Sequence, residues 1–414
     1  MSLPVSLRHL RAFIAVAEMG SVTRAADALY RAQSAVTRSV HQLELALNVE
    51  LFERKASGML CTTFGNSVLF RARRVMTEFG LGCDEIGRGL TPAPVPDAAR
   101  TRVPLAMLNE RRLLSFVGLA DSGHMPTVAK ALGISQPAVS SSINDLEACL
   151  GKALFERSSK GMMLTAAGEL LAFRIKRALA ELRYIAADLA ALNGTTEGRV
   201  VIGALPLGRT TILPRAISDV LARHPRLRFC TIEGPFDKLA AQLRAGDIDF
   251  VLGALRPADY ASDLAGEALL SDSMALVVRS GHPLTRLAGI GMADLVSSQW
   301  ILSSHATPAR ALFDRSFTSQ GLAPPLAALE TSDLAILRGM LLHSDAVTAI
   351  SAQQLQYEID AGLLTVLDVT LPHTSRTIGI TQRADSHPSP GALELMAAIR
   401  RFAAAGQPLE VAEI

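Results

Sequence analysis

The side chains in this 414-residue sequence whose types and spacing could do chemistry are hydrogen-bonding and basic rather than nucleophilic. Gln33, Ser34, Thr37, Arg38 and His41 fall at helical spacing on one face. Amide, hydroxyl and guanidinium groups placed this way can reach the base edges and phosphates of double-stranded DNA. Further along, Gln136, Pro137, Ser140, Ser141 and Asn144 hold the corresponding places. Arg54-Lys55 precedes Gly58, and Arg157 with Lys160 precedes Gly161. Each stretch suits a hairpin whose basic tip touches phosphate. Catalytic patterns are missing: there is no GxSxG, HExxH or Walker A, and Gly289-Ile290-Gly291-Met292-Ala293-Asp294 lacks the third glycine of GxGxxG. An enzyme is therefore not expected. Cys61, Cys83, Cys149 and Cys230 are far apart and form no CxxC pair. That argues against a disulfide framework and a structural zinc, and no metal or cofactor is expected.

These side chains need elements to hold them, and the elements occur twice. At an offset of 103 positions, residues 10–65 lie on 113–168 without a gap and share 22 identities in 56 positions. Among them are Phe13/Phe116, Gly20/Gly123, Leu43-Glu44/Leu146-Glu147, Leu51-Phe52-Glu53-Arg54/Leu154-Phe155-Glu156-Arg157, Gly58/Gly161 and Gly65/Gly168. Two copies are too few for a solenoid, so a duplicated domain is expected. In copy one, Leu10, Phe13, Ile14 and Ala17 form a helical face that Gly20 ends. Ser21 and Thr23 can cap a short helix to Leu29, Tyr30–Gln33 is a tight turn, and Ser34 is expected to cap a third helix. Two helices joined by so short a turn are the helix-turn-helix geometry, and 49–63 suits a two-stranded wing.

On these residues the sequence resembles the LysR-type transcriptional regulators. The resemblance rests on Leu10-Arg11-Ala12-Phe13, Gly20-Ser21-Val22-Thr23-Arg24-Ala25-Ala26, Gln33-Ser34-Ala35-Val36-Thr37-Arg38 and Leu51-Phe52-Glu53-Arg54. Copy two contributes Gln136-Pro137-Ala138-Val139-Ser140-Ser141, Leu154-Phe155-Glu156-Arg157 and Leu164-Thr165-Ala166-Ala167-Gly168. The copies differ on the reading face. The family's Arg after the recognition-helix Val is Arg38 in copy one and Ser141 in copy two, whose second helix also starts with Pro126 and has Lys130 for Asp27. Copy two either reads different bases, grips the backbone, or is a spacer.

Each copy runs on into a longer helix. Leu171, Ile175, Ala178, Leu182, Ile185, Leu189 and Leu192 alternate by four and three, a coiled-coil seam. Val68, Ala72, Val75, Phe79, Gly82, Ile86 and Leu90 match them, weakened by Gly80, Gly82, Gly87 and Gly89. In the family this linker helix pairs two chains, which implies a homo-oligomer, dimer or tetramer. Two arrangements are open here: pairing between chains, or pairing of both helices within one chain. Residues 91–104, with four prolines, read as an extended connector.

From Gly198 the pattern changes to strands alternating with helices, which implies mostly parallel sheet wrapped by helices. Gly198-Arg199-Val200-Val201-Ile202-Gly203, Leu213-Pro214, Glu233-Gly234, Gly246-Asp247-Ile248-Asp249 and Gly281-His282-Pro283-Leu284 resemble the family's effector domain. That resemblance implies two subdomains built like a periplasmic binding protein, a small-molecule effector between them, and two chain crossings, expected near 267–271 and 367–371. Effector closure would then shift the subdomains and change DNA bending. Strand-end loops that run into helix N-termini present free N–H groups and favour anions. Arg209, Thr210, Thr211, Ser303, Ser304, Thr307, Thr331 and Ser332 lie on such loops and would suit a small carboxylate. For each Ser and Thr a helix cap is the competing role.

The expected organisation is multidomain: a winged helix-turn-helix at 5–65, a linker helix and connector at 66–107, a second winged helix-turn-helix at 108–168, a linker helix at 169–195, and an α/β effector domain at 196–414. Within the last, one subdomain takes about 196–268 and 370–414 and the other about 269–369. Composition agrees. Residues are 49% hydrophobic and 19% charged, enough for large cores. No run approaches the roughly 18–20 apolar residues of a membrane span and no secretory signal is visible, so a cytoplasmic, nucleoid-associated protein without a membrane partner is expected. Residues 1–195 hold 23 Lys+Arg against 17 Asp+Glu, whereas 196–414 hold 18 against 22. The basic half is the one expected to meet DNA.

Overall fold

The computed structural model describes residues 5–55, 58–87, 103–159, 161–257 and 259–405. Copy one comprises α1 (Leu7–Met19), α2 (Val22–Leu29), α3 (Gln33–Leu47), the hairpin β1 (Phe52–Lys55) and β2 (Gly58–Cys61), and the long α4 (Thr63–Gly87). Copy two repeats them as α5 (Glu110–Ser122), α6 (Met125–Leu132), α7 (Gln136–Leu150), β3 (Phe155–Ser158), β4 (Gly161–Leu164) and α8 (Ala166–Leu192). Every boundary recurs at the offset of 103 until the two long helices end. Most of the connector, with Leu90 and Lys160, lies outside the described residues.

The shared residues explain why the two copies fold alike. Phe13 and Phe116 are fully buried and meet Phe52 and Phe155 at 5.2 and 5.4 Å. Burial of one such ring stabilises by about 1.5–3 kcal/mol. Glu44 accepts the Leu51 N–H at 2.9 Å, and Glu147 accepts the Leu154 N–H at 2.7 Å, so each wing is tied to the third helix. In each wing the glycine packs on the glycine that ends the first helix. A Cβ on Gly58 would stand 2.6 Å from the Gly20 carbonyl oxygen, and one on Gly161 2.8 Å from that of Gly123. Both wing glycines also hold φ +116, which L side chains rarely adopt.

Two local expectations change. Ser34 is not the cap of α3, because the helix starts at Gln33 and its cap position, two residues before Ser34, is Ala32, which offers no side-chain acceptor. Copy two has Ser135 at that place, and its hydroxyl accepts the Ala138 N–H at 3.3 Å. Leu192, at the end of the seam, is exposed.

The remaining seam residues pack α4 against α8 within the chain. Val68, Ala72, Val75, Phe79, Leu171, Ile175, Ala178 and Leu182 are all at most 1% exposed and share one core with both winged domains. Gly82, expected to weaken α4, instead permits the contact: a Cβ there would lie 3.2 Å from Cβ of Arg174.

The C-terminal half holds β5 (Gly198–Ala204), α9 (Ile212–Arg223), β6 (Leu227–Ile232), α10 (Phe236–Ala245), β7 (Phe250–Ala254) and β8 (Leu264–Asp272). Next come β9 (Met274–Arg279), β10 (Gln299–Leu302), α11 (Pro308–Thr318), β11 (Ala327–Glu330), α12 (Leu334–His343), β12 (Ala346–Ser351), α13 (Gln356–Asp360) and β13 (Leu364–Leu367). β14 (Arg376–Arg383) and α14 (Pro390–Ala405) close it. Two five-stranded sheets result, in orders β6-β5-β7-β14-β8 and β11-β10-β12-β9-β13. Both are mixed: β5, β6 and β7 run parallel with β14 antiparallel, and β10, β11 and β12 run parallel with β9 antiparallel. The first crossing falls at Ser273, because 267–271 is strand β8, and the second spans 368–375. Asp272 clasps both crossings, accepting from Ser351 at 2.6 Å and from Arg376 at 3.1 Å.

Candidate functional site

Gln33, Ser34, Thr37, Arg38 and His41 are all exposed and line one open recess on α3. The opposite face buries Val36, Val40 and Leu43, so the helix cannot rotate these groups inward. Thr37 donates back to the Gln33 carbonyl at 3.0 Å. On α7, Gln136, Pro137, Ser141 and Asn144 are exposed and Ser140 is half-buried. Arg54, Lys55 and Arg157 project from the hairpin strands, exposed, with Lys55 paired to Glu53 at 3.0 Å. The structure thus assembles two polar faces of different chemistry, one with Arg38 and His41 and one with Ser141 and Asn144.

Sequence reading missed the groups that join these faces. Arg71 donates to Glu181 at 2.7 Å and to Asp188 at 2.7 Å. Arg174 donates to Glu78 at 3.1 Å and to Glu85 at 3.0 Å. Arg74 reaches Glu181 at 2.8 Å and Arg177 reaches Glu78 at 2.7 Å. Burial works to lower the Arg71 and Arg174 pKa values, but their carboxylate partners outweigh it and both are raised. The signal was available: the offset of 103 also maps Phe70-Arg71, Arg74 and Glu78 onto Phe173-Arg174, Arg177 and Glu181.

The same helices are bolted to the first α/β subdomain. Arg71 donates to the His387 carbonyl at 2.8 Å and Arg74 to the Asp385 carbonyl at 3.0 Å. Arg177 meets the Asp385 carboxylate at 2.8 Å, Lys176 meets Asp247 at 2.9 Å, and Arg183 the Gly246 carbonyl at 2.8 Å. Tyr184 is hydrogen-bonded to the buried Asp249. Burial pushes both of their pKa values up.

The expected effector residues fall into two groups, one on each subdomain. Thr307 caps α11, accepting the Arg310 N–H at 3.2 Å and donating to Ser304 O at 2.8 Å, with Ser303 Oγ 3.0 Å away. Thr331 N–H donates to the Leu302 carbonyl at 2.9 Å, which joins the two loops, and Ser332 is exposed. On the other subdomain Arg209 is paired with Glu233, and Thr210 reaches across to the Gln354 carbonyl at 3.4 Å. The expectation of free N–H groups changes at two helices. Asp333 takes the Ala335 and Ile336 N–H groups of α12, and Thr307 takes one of α11, whereas Thr211 makes no cap bond at α9. Arg310, 3% exposed, was not foreseen; its Nη1 lies 3.6 Å from Glu330 and makes no hydrogen bond.

Two winged helix-turn-helix units, fixed to a pair of α/β subdomains joined by two chain crossings, define the architecture of a DNA-binding regulator that carries a ligand-type domain. Comparison with known proteins agrees. The bacterial regulatory helix-turn-helix of the lysR family matches twice, at residues 7–66 and 111–169, and the LysR substrate binding domain matches at 193–404. The chain belongs to the LysR family of transcriptional regulators. It is 46% identical to the HTH-type transcriptional regulator GalR of Pseudomonas putida over 396 residues, 96% of this chain and 97% of that one. The HTH-type transcriptional regulator PcaQ of Agrobacterium fabrum is 32% identical over 295 residues, 71% of this chain and 94% of its own. Full-length OxyR from Pseudomonas aeruginosa shares the fold with TM-score 0.54 at 24% identity, covering 70% of this chain and 94% of that one. These relatives are regulators, not enzymes. Among the described residues no helix is long and apolar enough to cross a membrane.

Proposed function

We propose that α3 reads the major groove of an operator through Gln33, Ser34, Thr37, Arg38 and His41, with Arg54 and Lys55 on phosphate. The exposed, chemically varied face of α3, locked by its buried opposite side, carries this reading. On α7, Gln136, Pro137, Ser140, Ser141 and Asn144, with Arg157 of β3 and Lys160 three residues on in sequence, form the second contact. Arg38→Ala is expected to weaken specific binding by about 1–3 kcal/mol in a gel shift, and an unchanged affinity refutes the assignment.

Control by a small anionic effector completes the proposal. Arg209, Thr210 and the uncapped start of α9 lie on one subdomain, Ser303, Ser304, Thr307, Thr331 and Ser332 follow the parallel strands β10 and β11 of the other, and the Thr210 bond to the Gln354 carbonyl, just after β12, links the two. A carboxylate would displace Glu233 from Arg209. Titration calorimetry with a panel of small carboxylates and their neutral amides tests it. Equal binding of the amides, or none of the acids, overturns the anionic reading.

A further inference from the structure

The ion pairs between α4 and α8 obey a two-fold rule inside one chain. At the offset of 103, Arg71 corresponds to Arg174, Arg74 to Arg177, Glu78 to Glu181 and Glu85 to Asp188. Arg71 pairs with Glu181 and Asp188, and its counterpart Arg174 pairs with Glu78 and Glu85. Arg74 pairs with Glu181, and Arg177 with Glu78. Cation–π contacts follow suit: Arg71 and Arg74 lie over Phe70, Arg174 and Arg177 over Phe173. Residue i touching j while the equivalent of j touches the equivalent of i is the signature of an isologous dimer interface. The apolar seam is already covered within the chain, since its residues are at most 1% exposed between Val68 and Phe79 and between Leu171 and Leu182.

We infer that one chain is a complete pair of reading heads, and that it reads an operator with two unlike half-sites in a fixed order. The two heads are held by a dyad-like junction, yet α3 presents Thr37, Arg38 and His41 where α7 presents Ser140, Ser141 and Asn144. A homodimer presents the same face twice and favours a palindrome. This junction presents two faces and favours an asymmetric site. A second chain must then attach through a surface other than the α4–α8 seam.

The inference rests on DNA reading by α3, and its first test needs no DNA, so the two can fail separately. Gly82→Cys with Arg174→Cys, in full-length protein whose four natural cysteines are Ser, places two thiols across the junction. On a non-reducing denaturing gel the crosslinked protein is expected to run as one chain; a two-chain band overturns the inference. Should that variant not fold, footprint length and the native mass of the wild-type protein–DNA complex give the ratio of half-sites to chains. Two half-sites per chain are expected, and one overturns the inference. Operators in which either half-site is duplicated in place of the other are expected to bind at least about 10-fold more weakly than the natural site. Full affinity for both duplicates overturns the unlike-heads part.

Discussion

Arg71 of α4 and Glu181 of α8 form a 2.7 Å ion pair in which both side chains are only 4% exposed. Arg71 also holds Asp188 and the His387 carbonyl, so one guanidinium joins both linker helices to the first effector subdomain. Removing one partner of a buried pair leaves the other charge desolvated. Arg71→Ala is expected to cost about 3–5 kcal/mol in urea unfolding, and a cost under about 1 kcal/mol would show that water enters and solvates the carboxylates. Arg71→Met with Glu181→Met should recover only part of the loss, because it replaces the pair by apolar side chains but leaves Asp188 and Arg74 without their partners.

Much of this architecture was legible in the sequence, and the misses share a cause. The duplicated heads were visible because Phe13, Glu44, Phe52, Gly58 and their counterparts each perform a local packing task that allows few substitutes. The sequence carries no clear strand signal at β8 or β11. Both are edge strands of their sheets, and Leu264–Asp272 buries only Leu270 and Asp272, so no clean alternation marks it. The junction charges escaped because a solvated charge and a buried, paired charge look alike until the helix facing them is known. Arg310 escaped for the same reason. For the effector loops, residue type alone could not separate cap from ligand contact, and Thr307 is shown to cap while Thr331 links two loops.

Docking of the effector half onto α4 should weaken in mild acid. His387 packs edge-on against Phe70 at 4.8 Å, and burial, then Arg74 and Arg71, hold its pKa below the ordinary 6.5, against the opposing pull of Glu181 and Asp385. The undocked imidazole therefore takes a proton first. Stability contributed by this contact is present above pH 6.5 and is lost as pH falls toward the depressed folded value. Asp385 behaves likewise lower down: burial works to raise its pKa, Arg177, Arg383 and Arg74 lower it on balance, and its share is lost as pH falls below 3.8. Thermal melts at pH 7.5 and 5.5 should show a drop that His387→Gln removes. An identical drop in the variant assigns the effect elsewhere.

Thiol reactivity reports whether the α4–α8 junction opens. Burial, then the nearby Cys149 and Asp84, pushes the Cys83 thiol up to about 12, whereas Cys149 is exposed. At pH 8 iodoacetamide should modify Cys149 first and leave Cys83 largely intact, since the thiolate is the nucleophile. Arg71→Ala should speed Cys83 labelling selectively, as read by peptide mass spectrometry. Equal labelling of both cysteines in the wild type would show that the junction opens freely.

Tyr30 ends α2 in the left-handed region at φ 52 while 89% exposed, so no burial compensates the strain. The equivalent in copy two is Gly133 at φ 65, the residue type that adopts this conformation without a Cβ penalty. Tyr30→Gly is therefore expected to stabilise the protein by up to about 1 kcal/mol, less the extra unfolded-state entropy of glycine. Gly133→Tyr should do the reverse. On the proposed reading by α3, an exposed ring in the turn just before that helix adds a contact to the operator, so the same Tyr30→Gly change should lower DNA affinity while it raises the melting temperature. Opposite movement of the two measurements separates a DNA contact from a folding role, because a ring that served only the fold would lower both.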